Sequence, residues 1–284
     1  MLAPLPIHGL LPQSLSVLLT RVRDALYWRR WKARRHRYLR AAFRNGEELV
    51  RSYTEKTPCP TAVLNDGTVF RHPADRTGLA GMLLEVWYDE VYTGRFYTPR
   101  PGDTVIDAGA NVGAFSLLLA RAAPACRVFA FEPFAENYAL LEANLGAAVG
   151  ATVRTYRVAL AGGSAVGVMA DGGRRSQDHQ LTAVPTDDAN PAAIRTLGFA
   201  DVLALAGDEP VALFKCDIEG SENELFARAD PALFRRVRRF AIEYHDLYKP
   251  GTLALLEQRL SPTHAVEVRP DPEGGYGMLY ATAK

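Results

Sequence analysis

Cysteine is scarce in this chain: Cys59, Cys126 and Cys216 are odd in number, scattered and never in C-x-x-C spacing. That pattern argues against a disulfide framework or a zinc cluster, and a reducing cytoplasm is the compartment it fits. Long apolar runs are missing as well. No stretch approaches the ~20 residues needed to span a bilayer, and the start, Met1-Leu-Ala-Pro-Leu-Pro, has no basic region ahead of an apolar one. Neither a transmembrane helix nor a secretion signal is expected. No internal repeat is visible.

What is present suits a soluble globular protein. With 48% hydrophobic and 23% charged residues, 284 residues can bury a full core, either as one large α/β domain or as one domain with a smaller appendage. The net charge of +1 conceals an asymmetry. Arg21 to Arg44 holds ten Arg or Lys against the single acid Asp24, a local charge of +9 that leaves −8 for the remainder.

Residues 1 to 13 hold three prolines and read as an extended arm. From Ser14, Leu15, Leu18, Leu19, Val22 and Leu26 recur at helical spacing beside Arg21, Arg23, Arg29 and Arg30, which predicts a basic amphipathic helix. It continues or restarts to a stop at Asn45-Gly46. Ala62-Val-Leu, Asn65-Asp-Gly and Thr68-Val-Phe predict a β-hairpin, and Gly81 to Tyr92 a helix. Beyond Tyr97 strands and helices alternate. Strands are expected at Thr104 to Ile106, Arg127 to Phe131, Val153 to Leu160, Val166 to Met169, Val211 to Cys216, Arg239 to Tyr244, Ala265 to Val268 and Met278 to Ala281. Helices are expected at Val112 to Arg121, Ala135 to Ala148, Ile194 to Leu205, Glu222 to Ala229 and Thr252 to Leu260, with a long polar loop from Asp171 to Asn190 that could fold over a substrate. A βα series ending in a hairpin implies a twisted sheet, mostly parallel with one antiparallel strand. The division expected is a basic helical segment and hairpin prelude over 1–96, then the main domain over 97–284.

The chain is organised around Asp103 to Gly113, where a buried strand meets a glycine turn and a helix. Gly109 and Gly113 lack the Cβ that would keep a ligand from the backbone, and free N–H groups at the helix start favour electron-rich ligand atoms. The spacing is G-x-N-x-G, not the dinucleotide G-x-G-x-x-G, and Asp107 at the strand end would repel a pyrophosphate while suiting an ammonium group. Glu132, at the tip of the next strand, can accept two hydrogen bonds from the vicinal hydroxyls of a ribose. Ribose plus ammonium without phosphate describes S-adenosylmethionine.

Asp107-Ala-Gly-Ala-Asn-Val-Gly, then Phe129-Ala-Phe-Glu-Pro, then Phe214-Lys-Cys-Asp-Ile-Glu-Gly-Ser-Glu, resembles the FkbM family of S-adenosylmethionine-dependent methyltransferases. The resemblance runs from Tyr97 to Glu243, about half the chain. It implies a Rossmann-like class I methyltransferase fold: a mostly parallel seven-stranded sheet, helices on both faces, and a helical and β-hairpin N-terminal extension. It further implies methylation of a hydroxyl oxygen on a small molecule, a sugar or a polyketide-type secondary metabolite. The cofactor would be held by Asp107, Gly109, Ala110, Asn111 and Gly113 of the first motif, Glu132 and Pro133 of the second, and Asp217 of the third.

Candidates for proton handling are Asp217 and Glu219 at one strand end and Glu243 and His245 at its neighbour, each pair two residues apart and so on one face if extended. His245 has the unperturbed pKa best suited to a base near neutrality; its alternative is a surface or substrate-binding role. Oxygen ligands suit magnesium, yet the Asp-x-Glu-Gly motif does not establish a metal and none is expected. Glu219 is alternatively a cap for the helix near Ser221. Lys215 is odd inside an apolar strand and either pairs with a carboxylate or snorkels from a sheet edge. Arg21 to Arg44 is open to two readings. One is a surface for anionic lipid, nucleic acid or an acidic substrate, anchored by Trp28 and Trp31; the commoner outcome is a solvated helix packed on the domain or in a homodimer. No specific nucleic-acid partner is expected, because base-reading and Asn-Pro-Pro-Tyr-like motifs are absent. A nucleic-acid methyltransferase and a non-enzymatic lipid-surface or scaffold protein are the competing functions.

Overall fold

The computed structural model describes residues 13–123, 125–146, 152–169, 181–182 and 193–284. The expected N-terminal arm, the side chains of the Leu15 to Leu26 stripe and nearly all of the polar loop at 171–190 lie outside them.

α1 (Gln13–Ala42) is followed, directly after the break at Asn45, by α2 (Gly46–Glu55), a helix the sequence pattern did not signal. Leu49 and Val50 of α2 are buried with Leu39 and Phe43 at the end of α1. β1 (Thr61–Val63) and β2 (Val69–Arg71) form the expected antiparallel hairpin. The next helix is shorter than expected: α3 (Leu79–Leu83) passes into a π-turn, Leu84–Tyr88. Phe43 stacks on Trp87 of that turn at 5.8 Å, and Trp87 Nε1 donates to the Ala114 carbonyl at 2.8 Å. The segment before residue 97 therefore shares a core with the main sheet and its helices.

β3 (Thr104–Ala108), α4 (Ala114–Ala122), β4 (Arg127–Phe131), α5 (Ala135–Leu145) and β5 (Thr152–Tyr156) alternate as expected. β6 (Ala159–Leu160), β7 (Ala165–Met169), β8 (Leu181–Thr182) and β9 (Ala193–Leu197) then form a separate sheet in the order β6-β9-β7-β8. Two expectations are corrected here. The strand over 153–160 is split between two sheets, and the helix over 194–205 is a strand followed, past Gly198, by α6 (Phe199–Ala206). The cause is tertiary. β9 finds partners in β6 and β7, and the Thr196 hydroxyl donates to the Gly163 carbonyl at 2.7 Å, so pairing overrides the helical reading.

β10 (Val211–Cys216), α7 (Glu222–Arg228), β11 (Arg239–Tyr244), α8 (Thr252–Leu260), β12 (His264–Pro270) and β13 (Gly277–Ala283) follow. Among the described residues the main sheet has seven strands in the order β12-β13-β11-β10-β3-β4-β5, with only the pairings of β13 antiparallel. It is the Rossmann-like α/β sheet that the resemblance implied.

Period-two alternation sorts the strand side chains. Ile106, Phe129, Phe131, Phe214 and Phe240 enter one core with Phe199 of α6, Phe226 of α7 and Leu256 of α8. Burying each large apolar side chain there is worth about 1.5–3 kcal/mol. Val105, Val128, Ala130, Leu213 and Ala241 enter the other core, under α4, α5 and the N-terminal elements. Asp107, Lys215 and Glu243 are in phase with this second set, which directs three ionisable residues beneath the N-terminal segment. Asn144 of α5 is fully buried between the parts. Its amide accepts from Arg71 N (2.7 Å) and donates to Arg71 O (2.9 Å) and Val112 O (2.7 Å), clamping the hairpin to the glycine loop. No helix among the described residues is long and apolar enough to cross a membrane.

Candidate functional site

Strand order reverses between β3 and β10, and a cavity opens beyond the carboxyl ends of β3, β4 and β10, where open α/β sheets bind ligands. Gly109, Asn111, Glu132, Pro133, Asp217 and Glu219 all line it.

The glycine loop is packed more tightly than its sequence suggested. Gly109 has φ +76°, and a Cβ there would lie 1.7 Å from the Asp217 carbonyl oxygen; a Cβ on Gly113 would lie 2.8 Å from Leu141 Cδ1. Both glycines admit protein neighbours rather than a ligand. The N–H groups of the loop are likewise engaged. Gly109 N and Ala110 N donate to the Phe131 carbonyl at 3.0 and 2.9 Å, and Asn111 N donates to Glu132 Oε2 at 2.9 Å. The loop's anion is thus the protein's own Glu132, which explains in physical terms why a phosphate is not called for.

Glu132 is buried at the mouth of β4, with Oε1 receiving Phe134 N at 2.9 Å. Burial pushes its pKa up to about 7, against the pull of the two N–H donors. Each carboxylate oxygen has one backbone donor and keeps acceptor capacity for a hydroxyl. Phe131, Phe134, Val158, Leu160 and Ile218 supply an apolar wall, and Asp217 and Glu219 supply negative charge. An apolar slot, a diol acceptor and carboxylates for a cationic group fit S-adenosylmethionine.

Asp107 does not line this cavity. It is fully buried, receives the Ser116 hydroxyl at 2.6 Å, and lies 3.2 Å from Lys215 Nζ. Lys215 directs its hydrogens at the carbonyls of Ala108 (3.2 Å) and Gly109 (2.6 Å), so the contact with Asp107 Oδ1 is ionic and off the hydrogen-bond axis. Burial alone would lower the Lys215 pKa; Asp107 and Asp217 hold it above its ordinary value. Lys215 sits mid-sheet between β3 and β11, so pairing and not snorkelling describes it.

The remaining candidates converge. Asp217, Glu219 and His245 lie just past their strand ends, with Glu243 still on β11. His245 is buried, Nδ1 3.1 Å from Glu222 Oε1 and Nε2 3.3 Å from Glu219 Oε2, with Tyr248 stacked on its ring. Burial would lower its pKa, but the hydrogen bond and charge of Glu222, with Asp217 and Glu219, push it up to about 10. Burial and the charge of Asp217 push Glu219 up to about 8, with His245 opposing. Burial, Asp217 and Glu85 push Glu243 well above the carboxylate range. Glu219 holds φ +52°, a conformation uncommon for a residue with a side chain, and it does not cap α7. Glu222 acts there instead, accepting Ile218 N at 3.0 Å.

Asp217, Glu219 and His245 bring ligand-type atoms within 4.8 Å of one another. Both ring nitrogens of His245 face carboxylates, Glu222 at Nδ1 and Glu219 at Nε2. Sequence reasoning missed Tyr92, Glu85, Ser116 and Glu222. Tyr92 is buried with its hydroxyl 3.2 Å from Asp217 Oδ2 and 3.4 Å from Glu243 Oε2. Glu85 is exposed on the π-turn, yet surrounding protein and then Asp217 and Asp89 push its pKa up to about 7. Only the acid-bearing helix pattern over 81–92 hinted at either. On the basic helix, Tyr27 and Trp28 are exposed with Arg29, Arg30 and Lys32, whereas Trp31 is half-buried under Arg35, which also pairs with Asp89.

Comparison with known proteins gives a consistent match. The family model described as the methyltransferase FkbM domain matches residues 107–261, more than half of the chain. The chain is 29% identical over 195 residues to 31-O-demethyl-FK506 methyltransferase FkbM from Streptomyces tacrolimicus, covering 56% of this chain and 74% of that one. It is also 29% identical over 198 residues to the AMB antimetabolite synthetase AmbE from Pseudomonas aeruginosa, covering 57% of this chain but only 9% of that much longer protein. Among solved structures, Aeropyrum pernix fibrillarin in complex with S-adenosylmethionine aligns at a TM-score of 0.42 and 12% identity, over 78% of this chain and 93% of that one.

Proposed function

The chain belongs to the FkbM methyltransferase family, with S-adenosylmethionine as methyl donor, and from that premise we propose that it methylates a hydroxyl oxygen of a small molecule, a sugar or polyketide-type secondary metabolite. The observation that carries this reading is the pair of acids Asp217 and Glu219 lining the cofactor cavity, with Glu243 joined to Asp217 through the Tyr92 hydroxyl behind them. Carboxylates bind hydroxyl groups by accepting their protons, and fold alone would not have distinguished this acceptor class.

Held in the cavity by Glu132 at its ribose, S-adenosylmethionine would supply an electrophilic methyl for the acceptor oxygen, with sulfur retaining the electron pair of the broken carbon–sulfur bond. Glu132 orients the ribose through its two oxygens. Asp217 holds the acceptor hydroxyl and takes its proton as the new carbon–oxygen bond forms, a step worth about 10²- to 10⁴-fold when the base is positioned. His245 was the base favoured from sequence; with its pKa pushed up to about 10 it is already protonated near neutrality, and its role is to fix Glu219 by charge.

An acceptor screen with methyl-labelled S-adenosylmethionine tests the proposal. Label is expected in an ether that resists mild alkali; recovery only as a methyl ester, an N-methyl group or in nucleic acid overturns it. A nucleic-acid acceptor is the second reading, motivated by exposed Tyr27 and Trp28 among the cations of α1. It requires binding that weakens steeply with salt, through counterion release.

A further inference from the structure

Tyr92 stands between two carboxylates with one proton to give. Its hydroxyl oxygen lies 3.2 Å from Asp217 Oδ2 and 3.4 Å from Glu243 Oε2, and a phenol has a single O–H. It can donate to only one of them. The other contact is a hydrogen bond only if that carboxyl group carries its own proton. Lys215 decides between them: Nζ is 3.9 Å from Asp217 Oδ2, whereas among the described residues Glu243 has no lysine or arginine within ion-pair distance. The ring is fixed independently, against Phe115 at 5.4 Å and below Lys215 Nζ at 5.2 Å. Tyr92 lies ahead of the family-matched stretch, and no comparison gives it a role.

We propose that Tyr92 is a positioning residue for the acceptor site: it donates to ionised Asp217 and accepts from neutral Glu243, so that one proton is locked on Glu243 and Asp217 is kept aimed and charged. The inference rests on the O-methyl reading in giving Asp217 a proton to receive. The chain of donors runs from Glu243 through Tyr92 to Asp217, and without the N-terminal segment the site is incomplete. The groups facing Glu243 are consistent with its neutrality. Asp217 and Glu219 approach from the loop after β10 and Glu85 from the π-turn, all negative when ionised. His245, next to its own strand end, is held by Glu219 and Glu222; Tyr276 and Tyr280 of the closing hairpin bring no charge.

Two measurements on the full chain test this without any acceptor, so their failure is distinct from a failed acceptor screen. In infrared difference spectra at neutral pH, wild type minus Glu243→Gln should show a hydrogen-bonded carboxylic-acid carbonyl band of one group, and that band should shift in Tyr92→Phe. Loss of the band in Asp217→Asn with retention in Glu243→Gln puts the proton on Asp217 and overturns the proposal, as does a band that Tyr92→Phe leaves unmoved. In thermal unfolding, Glu243 neutral in the fold and ionised in the unfolded chain means that wild-type stability falls as pH rises above its ordinary value near 4.5. Glutamine mimics the neutral acid, so the melting temperature of Glu243→Gln should gain on the wild type from about pH 5 to pH 8. A constant difference across that range overturns the proposal.

Discussion

Lys215 Nζ lies 3.2 Å from Asp107 Oδ1, and both side chains are almost sealed from solvent, at 4% and 0% exposure. One buried pair thus joins β3 to β10 at the reversal of strand order, and the same ammonium pins the Gly109 carbonyl at 2.6 Å.

Removing only one partner should be worse than removing both. Lys215→Met strands Asp107 as an uncompensated buried charge, and a loss of about 3–5 kcal/mol is expected. Lys215→Met combined with Asp107→Leu should recover a large part of it. Chemical denaturation of the single and double variants checks this; additive losses would mean that the pair is not coupled.

Cofactor affinity should report the ionisation of Glu132. With its pKa pushed up to about 7, the carboxylate is a full acceptor for ribose hydroxyls only above that point, so affinity for S-adenosylmethionine should rise with pH through about 7. Glu132→Gln should weaken binding by about tenfold or more at pH 8, from charged hydrogen bonds worth about 1.5–3 kcal/mol each, and should flatten the profile. Calorimetry across pH measures both.

His245 should govern stability at alkaline pH. Its folded pKa is raised, so its contribution is complete below the ordinary value of 6.5 and is lost as pH rises through about 10. His245→Gln leaves Glu222, fully buried, without its cation and should cost about 3–5 kcal/mol near pH 6. The gap to wild type should close as pH approaches about 10, which paired denaturation curves would follow.

Two glycines with similar backbones should respond differently. Gly102 has φ +84° and open space where an alanine methyl would sit, so Gly102→Ala should cost only the left-handed penalty of about 1–2 kcal/mol. Gly109→Ala adds the collision with the Asp217 carbonyl and should abolish detectable cofactor binding in calorimetry. Equal losses would show that the loop yields.

The parts of this fold legible in the sequence are those whose pattern and burial agree. β4, β10, β11 and α8 have the bounds that apolar runs and helical spacing gave, because nothing beyond the segment competes with its local preference. β9 was read as helix because its pairing with β6 and β7 is set by tertiary contact, which a local pattern does not record. Within the site, position was legible but partnership was not. Asp107, Glu132, Asp217, Glu219, Glu243 and His245 do cluster at the carboxyl end of the sheet. Yet the raised pKa of His245 depends on Glu222, 23 residues distant, and the proton count around Asp217 depends on Tyr92, 125 residues distant. Such contacts leave no periodic trace.

The Asn144 clamp bears on how this catalytic unit could be moved between proteins. The family-matched stretch holds only part of it: Asn144 and Val112 lie within 107–261, and Arg71 lies outside. A transplant cut to the matched boundaries would leave a buried amide facing the absent backbone of β2, with two of its three bonds unmade. The portable module is therefore bounded by hydrogen bonds, and it includes the hairpin.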